Sequence, residues 1–188
     1  MFIQVELTPN PLTLKFLPGR NVSKEGTIFY QNESEASNSP FAKRMFAVEG
    51  VKSVFFGNDF ITITKAEDLD WQVLKPMVLG AITDHYNSGE ETVADVLNQK
   101  KFEELNENQD DSDIVKQIKE LLDTRVRPAV AMDGGDIVYQ KFEKGIVYLQ
   151  MQGACSGCPS SAATLKTGIE NMLKHYVPEV IEVRPVNE

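Results

Sequence analysis

Residues 146–177 read IVYLQMQGACSGCPSSAATLKTGIENMLKHYV. The opening IVYLQMQ has strand character. From Pro159 onward the spacing turns helical, with Ala162, Leu165, Ile169, Met172, Leu173 and Tyr176 on one face. Between strand and helix lies GACSGCPSS, residues 153–161, which holds both cysteines of the 188-residue chain, Cys155 and Cys158. Working outward, DIVYQKF is a second strand, joined to the first by the short turn Glu143–Lys144–Gly145. Upstream, SDIVKQIKELLDTRVRPAV places Ile114, Ile118, Leu121, Leu122 and Val126 at helical spacing. Ser112 serves as its cap and Pro128 as its end. VIEVRPV closes the segment as a strand, where Pro185 is tolerated only near the end or on an edge. The order is α-β-β-α-β over residues 112–188, with the CxxC loop before the second helix.

Residues 1–87 are mixed as well. IQVEL, LTLKFL and TIFYQ are short strands, the first two separated by the turn signal TPNP. SPFAKRMFAVEG reads as a helix with Ser39 as N-cap, Pro40 at its first position and Gly50 past its end. VKSVFF and FITITK form a hairpin around Gly57–Asp59. LDWQVLKPMVLGAITDHYN is helical, with a break expected before Pro76 and a buried stripe of Met77, Val78, Ala81 and Ile82. The fold class is therefore α/β of the α+β kind, in two small mixed domains.

Between them, residues 88–111 are expected to be an acidic, flexible linker. Residues 88–113 carry nine acidic residues against Lys100 and Lys101, which leaves only −2 of the net charge of −9 for the rest of the chain. Such a stretch buries too little apolar surface to offset the entropy of ordering it. Val93, Val96 and Leu97 could support a turn or two of helix. The overall acidity argues against a nucleic-acid surface. No apolar run approaches the roughly 20 residues that span a bilayer, so no membrane partner is expected. The start, MFIQVELTPNPLTLKF, reads as folded protein rather than an export leader. That expectation places the cysteines in a reducing compartment, where a close pair binds metal or does redox chemistry more often than it staples a fold.

The loop sits where a strand gives way to a helix. Cys158 lies at the helix start, where unpaired N–H groups and the helix dipole favour a thiolate. Gly153 and Gly157 let the backbone approach a bulky inorganic centre, and a Gly-rich polar loop argues against cysteines that merely fill a core. Iron–sulfur and structural zinc sites usually take four protein ligands. The two histidines do not complete the set. His85 belongs to the other domain, and His175 lies about 25 Å along the helix from Cys158 at 1.5 Å per residue. Both read as surface or packing residues. A symmetric dimer would bring four thiolates together on its two-fold axis. Two other readings remain open on the residues alone: a thiol–disulfide oxidoreductase, and a zinc module shared between chains.

Residues 132–180, with DGGD at Asp133–Asp136 and CxxC followed by PSS, resemble the NifU carboxy-terminal-like domain of the Nfu iron–sulfur cluster carriers. TPNPLTLKFLPG, SPFAKRMFAVEGVKSVFFGNDFITITK and LDWQVLKP resemble the amino-terminal domain of the same family in its mitochondrial and alphaproteobacterial form. The resemblance implies that Cys155 and Cys158 ligate a 4Fe-4S cluster shared between two chains of a homodimer. It implies transfer to apo iron–sulfur clients such as lipoyl synthase-like and respiratory enzymes, with cluster donors upstream and no enzymatic turnover. The amino-terminal domain would help recognise clients or donors. The expected location is a bacterial cytoplasm, or the mitochondrial matrix for a matured organellar form. Met132 stands where relatives often carry a polar residue. The chain lacks the additional cysteines of nitrogen-fixation NifU, so neither its amino-terminal scaffold site nor its permanent 2Fe-2S centre is expected. Gly134 and Gly135 are read as a tight helix–strand connection, and Asp133 and Asp136 as structural rather than ligands.

Overall fold

The computed structural model describes residues 1–24, 26–93, 112–157 and 159–186, with backbone alone for residues 159–161. The chain divides into two compact units, Met1–Val96 and Leu97–Glu188.

The first unit runs β1 (Gln4–Leu7), β2 (Thr13–Leu17), β3 (Ile28–Tyr30), a 3-10 turn (Glu33–Asn38), α1 (Pro40–Phe46), β4 (Val51–Phe56), β5 (Ile61–Lys65) and α2 (Trp71–Ser88). The strands form one antiparallel sheet in the order β1-β2-β5-β4-β3. The two-residue strand period puts Leu14 and Phe16, Val54 and Phe56, and Ile61 and Ile63 in one core with Phe41, Met45, Leu74, Val78 and Ile82 of the helices. Ser39 caps α1 by accepting from the Ala42 N–H at 3.0 Å, and Pro40 opens it.

The expected break before Pro76 does not occur, because α2 runs unbroken through it. Asp70 caps the helix, accepting from the Gln72 N–H at 2.8 Å, and Leu74 and Val78 anchor it in the core on either side of the proline. The buried stripe is also rotated from expectation. Leu74, Val78, Ile82 and His85 face inward, whereas Met77 is 48% exposed and Ala81 only half-buried. Both stripes have helical spacing. The choice follows from His85, which stacks on Phe41 of α1 with ring centroids 3.8 Å apart.

Ser88 ends α2, and Gly89 beyond it takes the left-handed conformation of a C-cap. Residues 90–93, read from sequence as the start of the linker, are tied to α1. Arg44 pairs with Glu90 at 2.8 Å, and the Ser39 hydroxyl donates to the Thr92 carbonyl. The rest of that segment, residues 94–111, lies outside the described residues.

The second unit runs α3 (Asp113–Leu121), a π turn (Leu122–Val126), α4 (Arg127–Met132), β6 (Gly135–Glu143), β7 (Ile146–Gly153), α5 (Pro159–Tyr176) and β8 (Glu182–Pro185). The α-β-β-α-β order is as expected, with α3 and α4 forming one helical run. Pro128 does not end that run. The Arg127 N–H reaches back five residues to the Leu122 carbonyl, and this widened turn admits the proline at the start of α4. The sheet order is β6-β7-β8, with β6 antiparallel and β8 parallel to the central β7. Lys144 and Gly145 both have positive φ, the requirement of a tight two-residue hairpin turn. Pro185 ends the edge strand β8, where its missing N–H costs nothing. Val147, Leu149 and Met151 alternate into a core shared with Ile118, Leu122, Val126, Ile169 and Leu173. Tyr176, expected on the buried face, is 39% exposed at the end of α5 and lies 4.9 Å from the Arg125 guanidinium. Among the described residues, no helix is long and apolar enough to cross a membrane.

Candidate functional site

The central strand β7 delivers the chain to the cysteine loop, and α5 carries it away. Gly153 closes β7 opposite Gly135, the first residue of β6. The next residue, Ala154, is buried and donates its N–H to the Gly134 carbonyl at 3.1 Å. Cys155 follows, and the Ser156 N–H then turns back to the Gly153 carbonyl at 3.1 Å. Gly157 has φ of +78°, and Pro159 begins α5. Cys158 lies outside the described residues.

Cys155 is 6% exposed and belongs to the core of its unit. The Gly-rich polar loop argued against cysteines buried in a core, and at Cys155 the structure corrects that expectation. Burial, reinforced by the carboxylates of Asp133 and Asp136, pushes the Cys155 thiol up to about 12. It is therefore a protonated, sheltered thiol at neutral pH. The burial arises because Ala154 is tied to Gly134, which turns the following side chain inward. A thiol in this state is a poor nucleophile, whereas a metal ion can still displace its proton.

The DGGD turn builds the wall behind that thiol. Gly134, with φ of +83°, ends α4 as expected. Gly135 has a different task from the one read in the sequence. A methyl carbon there would lie 2.5 Å from Cys155 Sγ, 2.8 Å from the Gln152 carbonyl oxygen and 3.1 Å from the Cys155 nitrogen. Its missing side chain is therefore required by close approach rather than by backbone angle.

Asp136 is buried and held at both oxygens by Arg127, with Nε to Oδ1 at 2.9 Å and Nη2 to Oδ2 at 2.8 Å. Oδ1 also accepts the Ile137 N–H at 2.8 Å. Arg127 makes a further contact with Asp123 at 3.1 Å. This clamp fixes the start of α4 against the start of β6, beside the cysteine. Sequence reading did not find it. The available signal was an acidic residue at the start of a strand otherwise rich in apolar residues.

The histidines are placed as packing and surface residues. His85 is buried against Phe41 in the first unit, and His175 sits in the last turn of α5 beside Tyr176.

Residues 3–89 match the family described as Scaffold protein Nfu/NifU N terminal, and residues 118–184 match the NifU-like domain. The chain is 52% identical over 182 residues to NifU-like protein 4, mitochondrial, of Arabidopsis thaliana, covering 96% of this chain and 64% of that protein. It is 50% identical over 187 residues to the NFU1 iron-sulfur cluster scaffold homolog, mitochondrial, of Homo sapiens, covering 99% of this chain and 72% of that protein. The chain thus spans about two thirds of the length of these relatives. A solved NifU-like protein from Saccharomyces cerevisiae is 29% identical with a TM-score of 0.45, covering 50% of this chain and 85% of that one. Both family matches, in order along one chain, together with relatives at half identity over nearly all of it, place this protein in the Nfu/NifU iron–sulfur cluster scaffold family.

Proposed function

We propose that this protein is an iron–sulfur cluster carrier. Cys155 and Cys158 of two copies together ligate a 4Fe-4S cluster on a two-fold axis, and the cluster passes from there to apo client proteins. The observation that carries the reading is the ligand count. The whole chain has two cysteines, both in one loop between the central strand and α5, and a cluster usually takes four thiolates. Family membership supports iron–sulfur work for that loop. Cys155 is buried, so a thiol–disulfide oxidoreductase would have to attack through Cys158, and the scaffold names of the relatives favour the carrier. A zinc module would use the same loop and ligand count, and the scaffold names of the relatives favour the cluster.

The residues of this chain would bind and release the cargo, with no turnover of a substrate. Clients of the lipoyl synthase-like and respiratory kinds, and donors upstream, complete the reading. A reducing compartment suits it: the mitochondrial matrix, by the names of the relatives, or a bacterial cytoplasm.

Single Cys155→Ser and Cys158→Ser variants test the assignment after anaerobic loading with iron and sulfide. Each is expected to lose bound iron and sulfide while keeping the circular dichroism of the parent. A variant that still holds the full complement refutes the ligand set.

A further inference from the structure

A thiol turned against its own backbone cannot at the same time face a site shared with a second copy. Cys155 is 6% exposed and packed among core residues. Its sulfur occupies the space left by the missing side chain of Gly135, the position where a methyl carbon would come within 2.5 Å of it. The other nearest neighbours of that position are backbone atoms, the Gln152 oxygen and the Cys155 nitrogen. This wall cannot easily widen. Gly135 is paired with Gly153, Ala154 is bonded to Gly134, and the next residue, Asp136, is clamped by Arg127.

We propose that this recess is a resting pocket that competes with the cluster for Cys155, and that Gly135 is the positioning residue that keeps it open. The inference rests on the carrier reading above. In the empty protein the thiol is stowed and shielded. On loading it turns outward to iron. On delivery the iron–sulfur bond to Cys155 is replaced by a bond to the client's thiol, whose proton passes to Cys155 as it returns to the recess. Stowing thereby favours release, which suits a carrier whose cargo must leave. A methyl at Gly135 meets the sulfur at 2.5 Å and the Gln152 oxygen at 2.8 Å, so it costs stability whichever way the cysteine turns, and its contact with the sulfur biases the cysteine outward by about tenfold.

The test uses the metal-free full chain with Cys158→Ser, which leaves Cys155 as its only thiol. Adding Gly135→Ala is expected to raise the rate of Cys155 alkylation by iodoacetamide about tenfold. On the parent chain, Gly135→Ala is expected to slow removal of a loaded 4Fe-4S cluster by a ferrous chelator to a similar degree. Equal alkylation rates with and without the methyl group overturn the proposal. Failure of the parent to take up any cluster sinks the carrier reading instead, and the alkylation arm still decides whether the recess holds the thiol. Folding is controlled by repeating Gly135→Ala on a Cys155→Ala background. The loss of thermal stability should be smaller there, because the sulfur contact is gone, and an equal loss in both backgrounds counts against the pocket.

Discussion

Asp136 is 4% exposed at its side chain, and its carboxylate is gripped by a guanidinium that is itself 39% exposed. The fork geometry spares the buried charge the full cost of leaving water, since both oxygens receive charge-assisted hydrogen bonds. Removing the guanidinium takes away the fork of charge-assisted hydrogen bonds and leaves the Ile137 N–H still donating to Oδ1. Arg127→Leu is therefore expected to destabilise the second unit by about 2–4 kcal/mol in urea unfolding. Arg127→Lys, which keeps the charge but loses the fork, should cost less, about 1 kcal/mol. A leucine variant within about 0.5 kcal/mol of the parent would show that the pair contributes nothing. The same clamp sets the start of β6, so the loss should also loosen the wall behind Cys155.

The packing of α1 on α2 carries a pH dependence. His85 is buried at that contact, stacked nearly parallel on Phe41, and its Nδ1 finds no partner among the described residues. Burial, helped by the nearby Arg44 charge, holds the imidazole below its ordinary range, while Glu90 pulls weakly the other way. The unfolded chain thus takes up the proton first as pH falls. Above its ordinary pKa of about 6.5 the group is neutral in both states and adds no pH dependence. Below that value stability declines, and it levels off once the pH passes the depressed folded value. The first unit should lose more melting temperature between about pH 7.5 and about pH 5.5 than a His85→Phe variant, which keeps the stack and cannot titrate. Parallel pH profiles for the two proteins would show that His85 is not the source. At this scale much was legible in the sequence. Strand alternation in IVYLQMQ, the Ser39–Pro40 helix start and the Lys144–Gly145 turn each follow from local chemistry. The prolines misled, because tertiary anchoring on both sides of Pro76 and a π turn ahead of Pro128 absorbed what a local rule treats as a stop. The inward stripe of α2 was ambiguous for a similar reason, since α1 decides it. The cysteine loop was legible as a site, but the burial of Cys155 was not. That burial depends on Gly134 and Gly135, which lie about 20 residues upstream and meet the loop through the β6–β7 pairing and the Ala154–Gly134 bond.

Each unit has its own hydrophobic core, one drawn from residues 14–82 and the other from residues 118–183. Each can therefore hold its fold by its own packing, and only the second contains cysteines. A single copy supplies at most two thiolates, so the carrier proposed above would bind its cargo and dimerise in one event. The direct measurement is anaerobic reconstitution with iron and sulfide, followed by gel filtration with iron, sulfide and protein analysis of each peak. The account predicts that iron and sulfide elute with a dimer at one 4Fe-4S cluster per two chains, and that chelation removes the cluster and the dimer together. Iron and sulfide eluting with a monomer, or a colourless monomer that reduces disulfides, would contradict it.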